Sequence, residues 1–314
     1  MYINSTGYYI PQSRIPNDYF TPINGLTDEW IVKRTGISTR SRAGEGEGHN
    51  SMGFAAVDDA LKTLPYDIKD IDLIVSASYS PYDTVATLAH ELQRRHDISD
   101  MKAVYASSAC SSFVNGLEIV EGYFAMGKAK KALLVCSEHN SYYANERDPK
   151  CGHLWGDAAV AFFLSEEPQA TDEPQILAVH TLGLGNVGRG PEGVKLRPKE
   201  GGIMMPDGRD VFINACHHMI HALNAVTEPF GLTPSTLDYI ICHQANKRIM
   251  MQVAHQLELG EEHFLSNIEE LGNTGSASAA LVFAQNRDIF TRGQNIGLSV
   301  FGGGYSEGAF LVRI

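Results

Sequence analysis

The chain has 314 residues, of which 43% are hydrophobic and 20% charged, as is typical of a globular protein with one large or two medium domains. Its 25 basic and 37 acidic side chains give a net charge of −12, which argues against a general nucleic-acid surface. The first residues lack the basic and apolar regions of a signal peptide, and no apolar run is long enough to span a membrane. The five cysteines are scattered without paired spacing, which indicates free thiols. Together these features predict a cytoplasmic protein without membrane insertion.

Apolar, strand-like runs alternate with helical patterns along the chain. In the first half, the pattern predicts a helix over 51–64, a strand over 71–76, a strand before 107, a helix over 111–126, and strands over 131–136 and 158–164. A polar segment at 165–174 with two prolines is a predicted linker. The second half reads as a helix over 211–227, a strand over 237–242, a helix over 245–257, and strands over 296–300 and 309–314. This alternation predicts an α/β protein with buried sheets.

Cys110 is a candidate nucleophile. It follows an apolar run and precedes the predicted helix over 111–126, among small residues that leave room for a substrate carbonyl. The N–H groups and the positive dipole end of a helix favour a thiolate, so the position predicts an activated thiol. The alternative is a buried, inert cysteine.

Two later segments favour catalysis. His243 ends an apolar run in IICHQANKRI at 240–249, and Asn273 lies in LGNTGSASAA at 271–280. Taken alone, the histidine fits a core position and the asparagine a turn. Three further segments accompany them: TDEWIVKRTGI at 27–37, LWGDAAV at 154–160 and FGGGYSEGA at 301–309. With these segments in this order, the chain resembles the β-ketoacyl-acyl-carrier-protein synthase III family of thiolase-like condensing enzymes.

The resemblance implies a thiolase-like α/β fold of two similar halves in a five-layer αβαβα arrangement. We expect residues 1–166 to form the half that carries the nucleophilic Cys110, and residues 167–314 the half that carries His243 and Asn273. The resemblance also implies a homodimer.

The same resemblance implies an acyltransferase of fatty acid biosynthesis. Cys110 would take an acyl group from an acyl-CoA or acyl-acyl-carrier-protein donor. Malonyl-acyl carrier protein would then lose carbon dioxide, His243 and Asn273 would stabilise its enolate, and the carbanion would attack the acyl-cysteine. The backbone N–H groups of Cys110 and Gly303 would form the oxyanion hole. No metal or organic cofactor is expected, because departure of the carboxylate itself generates the carbanion.

The resemblance places four residues at the substrate entrance. Trp30 would stack on the adenine of coenzyme A. Arg34 and Arg248 match cationic positions near the pantetheine and phosphate groups, and Asn246 is a further predicted substrate-binding residue. A solvated surface position is the alternative for each arginine.

The chain departs from the family pattern around the donor. Leu26 stands where the family usually has a hydroxyl residue that bonds adenine, and Pro149 stands near the place of a second stacking arginine, for which Arg147 or Lys150 could substitute. We therefore expect weaker recognition of the coenzyme A nucleotide. Glu307 replaces a tryptophan that is common in the initiating enzymes, and a carboxylate near the acyl tunnel would change its shape or its protonation.

The resemblance also implies a basic surface that docks the carrier protein, and this chain has fewer basic residues at those positions. His255 and Gln256 stand in place of a basic pair and Ile213 replaces another basic residue, leaving Lys247 and Arg248. A specialised-metabolite ketosynthase or acyltransferase of the polyketide or resorcinol type therefore remains the alternative function.

Three other possibilities are open at this point. A papain-like cysteine protease also presents Cys, His and Asn in this order, but its flanking residues are missing. A non-catalytic scaffold on a thiolase fold is disfavoured by the retained triad. Cys216, His217, His218 and His221 lie close together on a predicted helix, with His217 and His221 one turn apart on the same face. A metal site is conceivable, but no carboxylate or second ligand pair completes a tetrahedral zinc set, and a packed, partly exposed helix face is the alternative.

Overall fold

The computed structural model describes all residues, 1–314. The strands are β1 Tyr2–Tyr9, β2 Ser13–Pro16, β3 Thr39–Arg42, β4 Leu73–Ala77, β5 Lys102–Ala106, β6 Lys131–His139, β7 Asp157–Ser165, β8 Gln175–Gly183, β9 Lys195–Arg197, β10 Gly202–Met204, β11 Tyr239–Cys242, β12 Asn295–Gly302 and β13 Ser306–Arg313. The α-helices are α1 Thr21–Asn24, α2 Asp28–Thr35, α3 His49–Ala60, α4 Leu88–Arg95, α5 Ser112–Ala125, α6 Asn140–Tyr143, α7 Gly208–Thr227, α8 Lys247–Gln256, α9 Ile268–Leu271 and α10 Ser278–Gln285.

Nine strands hydrogen-bond in the order β11-β12-β13-β8-β1-β7-β6-β4-β5. A single residue pair, Tyr2 with Gln175, joins β1 to β8, so this nine-stranded sheet is made of two smaller sheets that are joined at one point. In the first sheet β4 runs parallel to β6, while β7 is antiparallel to β6 and to β1. The second sheet repeats this pattern, with β11 parallel to β12 and β13 antiparallel to β12 and β8. The two halves are therefore similar, as the resemblance implies.

The helices complete five layers. Helices α5 and α10 contact both sheets and form the central layer, whereas α3 and α4 cover the outer face of the first sheet and α7 covers that of the second. Along β4, Leu73 and Val75 belong to the central core while Ile74 faces α3 and α4, so both faces of the strand are buried. The predicted α/β thiolase-like fold with αβαβα layering is confirmed.

The helix boundaries follow from capping. Helix α7 begins at Gly208, earlier than predicted, because the side chain of Asp207 accepts hydrogen bonds from the N–H groups of Arg209 and Asp210. Helix α8 begins at Lys247, later than predicted, because the Asn246 side chain accepts from the N–H of Arg248 at 2.9 Å. The helix expected over 51–64 is α3, which runs from His49 to Ala60.

The predicted linker at 165–174 lies between β7 and β8. The division of the chain at residues 166 and 167 stays a prediction. Strand β1 was not predicted, although it is central between β7 and β8. None of the helices combines the length and apolarity needed to cross a bilayer.

Candidate active site

Cys110 lies in a tight turn between β5 and α5. Ala109 adopts the left-handed conformation with φ of 50°, which is uncommon for a residue other than glycine and turns the chain sharply before the cysteine. Two serines hold the turn: the hydroxyl of Ser111 donates to the carbonyl of Ser108, and that of Ser112 to the carbonyl of Ala109, each at 2.6 Å. The thiol is thus fixed immediately before the helix, with 8% of the residue exposed.

A glycine-rich loop from the second half packs against this turn. The Oγ atoms of Ser306 and Ser111 lie 2.6 Å apart, which joins the two segments directly. A Cβ atom on Gly302 would approach the backbone nitrogen of Cys110 to 2.9 Å, so the loop can come this close only with glycine there. The N–H groups of Gly303 and Cys110 hydrogen-bond toward the sulfur and lower its pKa. The two predicted oxyanion-hole donors therefore both border the thiol.

The pKa of the Cys110 thiol is raised, whereas the sequence led us to expect a stabilised thiolate with a lowered pKa. Burial, with the nearby charge of Glu138 as the second cause, raises the pKa of Cys110 to about 12, and the two N–H groups offset only part of this rise. Desolvation outweighs the helix-start effect because the sulfur is removed from water. The free protein therefore holds Cys110 as a neutral thiol at neutral pH.

Glu138 is a site residue that the sequence did not predict. It is fully buried, and it accepts hydrogen bonds from the hydroxyls of Ser80 and Ser276 and from the N–H groups of Tyr79 and Ser80. Burial raises its pKa to about 7, against the lowering effect of these donors. Strand β6 gives no sign of this role in its sequence, because the donors come from distant segments.

His243 follows the last residue of β11. Its N–H donates to the carbonyl of Ser299 at 2.8 Å, and its Nδ1 lies 2.6 Å from the Oγ atom of Ser278. Burial lowers the pKa of His243 to about 4, so the imidazole is neutral at physiological pH. Its Nε2 atom makes no hydrogen bond within the protein, and the side chain lines a cavity shared with Cys110.

Asn273 is held by the mid-chain segment that contains Gly156. Its N–H donates to the carbonyl of Leu154 at 2.8 Å, and its carbonyl accepts from the N–H of Gly156 at 2.9 Å. The side-chain oxygen accepts from the N–H of Gly275 at 2.9 Å, which leaves the amide nitrogen without a protein partner. The amide side chain lines the same cavity as Cys110 and His243.

These three predicted residues therefore meet in one narrow, largely apolar cavity of about 90 Å³. By comparison, a water molecule occupies about 30 Å³ of the liquid. The apolar wall is formed by Leu154, Trp155, Val194, Met205, Val211, Phe212, Ala215, Met219, Ile249 and Phe301.

The predicted entrance residues lie together in an open cleft of about 360 Å³ that shares wall residues with this cavity. The cleft is lined in part by Trp30, Arg34, Asn246, Arg248, Lys150, His153 and Arg209. The Arg34 guanidinium lies 4.2 Å from the centre of the Trp30 ring, and His153 meets that ring edge-on at 5.6 Å. Of the two suggested substitutes for a second arginine, Lys150 lines this cleft whereas Arg147 lines a separate one. The sequence analysis did not identify Arg209.

A second cleft, of about 520 Å³, also borders Cys110. Its lining includes Tyr79, Ser108, Trp155, Lys195, Ile203 and Tyr305. Cys110 and Gly303 line both this cleft and the narrow cavity. Two cavities therefore border the thiol.

Two groups that the sequence left open lie in the second half, away from the thiol. Glu307 does not line either cavity around Cys110; it is buried, and His218 and His221 of α7 and His180 of β8 contact it. Of the three α7 residues Cys216, His217 and His221, Cys216 is buried in the core, His217 is exposed and only His221 contacts Glu307.

Comparison with known proteins agrees with this geometry. The chain matches the family description 3-oxoacyl-[acyl-carrier-protein] synthase III over residues 106–183 and its C-terminal counterpart over 228–314. The β-ketoacyl-[acyl-carrier-protein] synthase III proteins of Acholeplasma laidlawii and Methylococcus capsulatus are 34% and 33% identical to it, each over 99% of this chain and 98% of their own length.

Solved structures are also similar to this chain over nearly its whole length. The 3-oxoacyl-[acyl-carrier-protein] synthase III of Aquifex aeolicus superposes with a TM-score of 0.92 at 30% identity, covering 100% of this chain and 99% of that one. The priming β-ketosynthase from the R1128 polyketide biosynthetic pathway superposes with a TM-score of 0.89 at 27% identity, covering 99% of this chain and 96% of that one. The fold and these relatives exclude the papain-like protease alternative. The chain belongs to the 3-oxoacyl-[acyl-carrier-protein] synthase III family and is a condensing enzyme of the acyltransferase type.

Proposed function

We propose that the protein transfers an acyl group from a thioester to Cys110 and condenses it with malonyl-acyl carrier protein. The observation that carries the proposal is the convergence of Cys110, His243 and Asn273 on one narrow cavity. The names of the relatives support a carrier-protein substrate.

In the first half-reaction the Cys110 sulfur attacks the thioester carbonyl, and the N–H groups of Cys110 and Gly303 bind the oxygen of the tetrahedral intermediate. Collapse breaks the donor carbon–sulfur bond. The thiol proton passes to the departing sulfur, so the products are an acyl-enzyme and a free donor thiol. A neutral thiol fits this balance, because the proton that Cys110 loses is the proton that the donor gains.

In the second half-reaction the malonyl group loses carbon dioxide, and its electron pair moves onto the thioester as an enolate. The hydrogen bonds around Ser278 support His243 as a donor to that enolate. The Oγ of Ser278 accepts from the N–H of Gln244 at 3.3 Å, and Nδ1 of His243 is the acceptor that the structure gives its hydroxyl proton, so we infer that the hydroxyl donates to Nδ1. The neutral ring then carries its proton on Nε2.

Asn273 supports the same assignment. Its side-chain oxygen is occupied by the N–H of Gly275, so its amide N–H group is the part free to donate. Two neutral donors would therefore stabilise the enolate oxygen. The carbanion then attacks the acyl-cysteine, the carbon–sulfur bond breaks and the thiolate of Cys110 takes up a proton from solvent. No metal or organic cofactor takes part in this scheme.

For the entrance we propose recognition of phosphopantetheine, on coenzyme A or on a carrier protein. Arg34, Lys150, Arg209 and Arg248 give the entrance cleft four cations, which suits a phosphate group. Arg34 already covers the ring of Trp30, so adenine has to compete with it for stacking. This competition supports the expectation that the nucleotide of coenzyme A is weakly recognised.

We also propose a cytoplasmic homodimer. Strand β5 ends the nine-stranded sheet with an unpaired edge. Two nearby apolar side chains are exposed, Tyr82 by 80% and Val85 by 84%. An unpaired edge strand with neighbouring exposed apolar groups favours pairing with a second copy. Light scattering should give twice the monomer mass of 34.3 kDa at micromolar concentration, and a mass of 34.3 kDa would contradict the dimer.

A role in specialised metabolism is the second candidate. The similarity to the priming ketosynthase of the R1128 polyketide pathway and the weak adenine site favour it. Both candidates share the condensation chemistry and differ in the donor.

The test is a condensation assay with malonyl-acyl carrier protein and a matched panel of acyl-CoA and acyl-carrier-protein donors, with the 3-oxoacyl product measured by mass spectrometry. We expect product from wild type and none from Cys110→Ala. Strong preference for acetyl-CoA over all other donors would favour fatty-acid initiation, and preference for a longer or carrier-borne donor the specialised role. Absence of product and of carbon dioxide with every donor would overturn the proposed function.

A further inference from the structure

A buried carboxylate surrounded by three imidazoles lies between α7 and the strands β8 and β13. Nδ1 of His218 lies 2.5 Å from Oε2 of Glu307, and Nδ1 of His221 lies 2.5 Å from Oε1. Nε2 of His180 lies 3.1 Å from the same Oε1 atom. Glu307 has no exposed surface, and no lysine or arginine forms an ion pair with it.

Three separate elements bring these side chains together. His218 and His221 are three residues apart on α7, so they share one face of the helix. Glu307 and Ala309 share one face of β13, and Ala309 pairs with His180 on β8. The sheet therefore presents His180 and Glu307 side by side to the face of α7 that carries the other two histidines.

The arrangement leaves a charge unbalanced. A buried carboxylate needs a positive partner. No lysine or arginine supplies that charge to Glu307. A bound cation would supply it fully, and the geometry leaves an approach, because His221 is about half exposed while Glu307 is buried beneath it.

The donor set identifies the class of cation. Nitrogen donors from histidine together with a carboxylate oxygen suit Zn²⁺ and related transition metals, whereas Mg²⁺ and Ca²⁺ favour oxygen donors throughout. Donors of a tetrahedral zinc site lie about 3.3 Å apart. Ligand atoms of His180, His221 and Glu307 all lie within 4.8 Å of one another, so small side-chain rotations would accommodate the ion.

We propose that His180, His221 and Glu307 form a binding site for one divalent transition metal of the zinc class, with His218 holding the other carboxylate oxygen of Glu307. The metal would clamp α7 to β8 and β13. This clamp has a consequence for the substrate cavity, because Val211, Phe212, Ala215 and Met219 of α7 line it. Phe301, another wall residue, stacks on the ring of His218 with centroids 6.0 Å apart. The metal therefore holds one wall of the cavity in place without touching the reacting atoms.

The experiment uses the full-length protein, stripped with a chelator and titrated with ZnSO₄ by calorimetry. Cobalt absorption spectroscopy provides a second readout, since Co²⁺ reports coordination directly. His221→Ala and His180→Ala remove ligands from partly exposed positions, and Glu307→Gln removes the carboxylate. His217→Ala is the matched control, because His217 is an exposed histidine on the same helix that makes no hydrogen bond to Glu307.

We expect wild type and His217→Ala to bind one equivalent of zinc and to gain thermal stability from it. His221→Ala and His180→Ala should bind at least 100-fold more weakly. Magnesium should produce no signal. Equal zinc affinity in wild type and His221→Ala would overturn the proposal, as would equal weakening in His217→Ala. Acylation of Cys110, followed in parallel by intact mass, is a separate readout, so failure of the metal site and failure of the condensing function are distinguishable.

Discussion

Ser278 fixes the imidazole of His243 through a contact of 2.6 Å between its Oγ and Nδ1. The two residues lie 35 positions apart in the chain and are both buried. Replacing Ser278 by Ala leaves Nδ1 without its donor, so the proton is no longer held on Nε2. We expect Ser278→Ala to slow release of carbon dioxide from malonyl-acyl carrier protein by about 10-fold or more while acyl loading of Cys110 persists.

The control for this substitution is Ser5→Ala. Ser5 is also a buried serine, and its hydroxyl donates to the carbonyl of Ala60 at 2.6 Å, remote from the site. The Ser5→Ala variant should lose some stability but keep the wild-type ratio of the decarboxylation rate to the acyl-loading rate. An unchanged ratio in Ser278→Ala as well would show that the serine does not position the imidazole.

His243 and Asn273 should act chiefly in decarboxylation. Both present neutral donors to the cavity, and neither is needed to bind the oxyanion formed during loading. In His243→Ala and Asn273→Ala we expect decarboxylation to fall by about 100-fold or more, with loading still measurable in single turnover. Equal losses in the two half-reactions would contradict this division of roles.

Gly302 should tolerate no side chain. A Cβ atom there would lie 2.9 Å from the nitrogen of Cys110 and 3.0 Å from that of Ser111, so Gly302→Ala must displace the nucleophile turn or the glycine loop. We expect it to lose about 1–3 kcal/mol of stability. Acyl loading should fall by about 10-fold or more, because one oxyanion donor moves.

Gly122 provides the matched control for that substitution. It lies in α5, the helix after the nucleophile, and a Cβ atom there would meet nothing within 4 Å. Gly122→Ala should leave loading unchanged and stabilise the fold by about 0.5–1 kcal/mol, because glycine is unfavourable inside a helix. Normal loading by Gly302→Ala would refute the close packing described here.

Stability should decline as the pH falls below about 6.5. Burial lowers the pKa values of His49, His153 and His243 to about 4, from an ordinary value of 6.5. Between these values the unfolded chain binds protons that the folded protein does not, so unfolding becomes more favourable as pH falls. From pH 7.5 to pH 5, each of these histidines should cost about 2 kcal/mol of stability.

Urea unfolding of wild type and His49→Gln at both pH values tests this expectation. The variant lacks one of the three titrating groups, so its stability should fall by about 2 kcal/mol less than that of wild type. The same fall in both proteins would show that His49 does not titrate as its burial indicates.

The sequence predicted that Cys110, His243 and Asn273 come together, because each of them lies in a distinctive local segment. Strand β1 was not predicted, because Tyr2–Tyr9 mixes polar and aromatic residues and shows no apolar pattern. Its place in the sheet depends on pairing with β7. Position in a sheet is a tertiary property, which local periodicity does not encode.

The electrostatics of the site could not be predicted for a similar reason. Cys110 stands at the start of a helix, and that feature alone favours a thiolate. Burial of Cys110 and the charge of Glu138 have the opposite effect and raise its pKa. Glu138 lies 28 positions further along the chain, on β6. In the same way, His180 and Glu307 are separated by 127 residues, so their cluster with α7 is visible only once the strands are paired.

The proposed condensation depends on acylation of Cys110. This step is measured by incubating the protein with each acyl-CoA and acyl-carrier-protein donor in the absence of malonyl substrate, followed by intact mass spectrometry. We predict that wild type, His243→Ala and Asn273→Ala each gain the mass of one acyl group, and that peptide mapping places it on Cys110. Cys110→Ala should gain none. A Cys110→Ala protein that still becomes acylated and makes product, or a wild type that no donor acylates, would contradict the account.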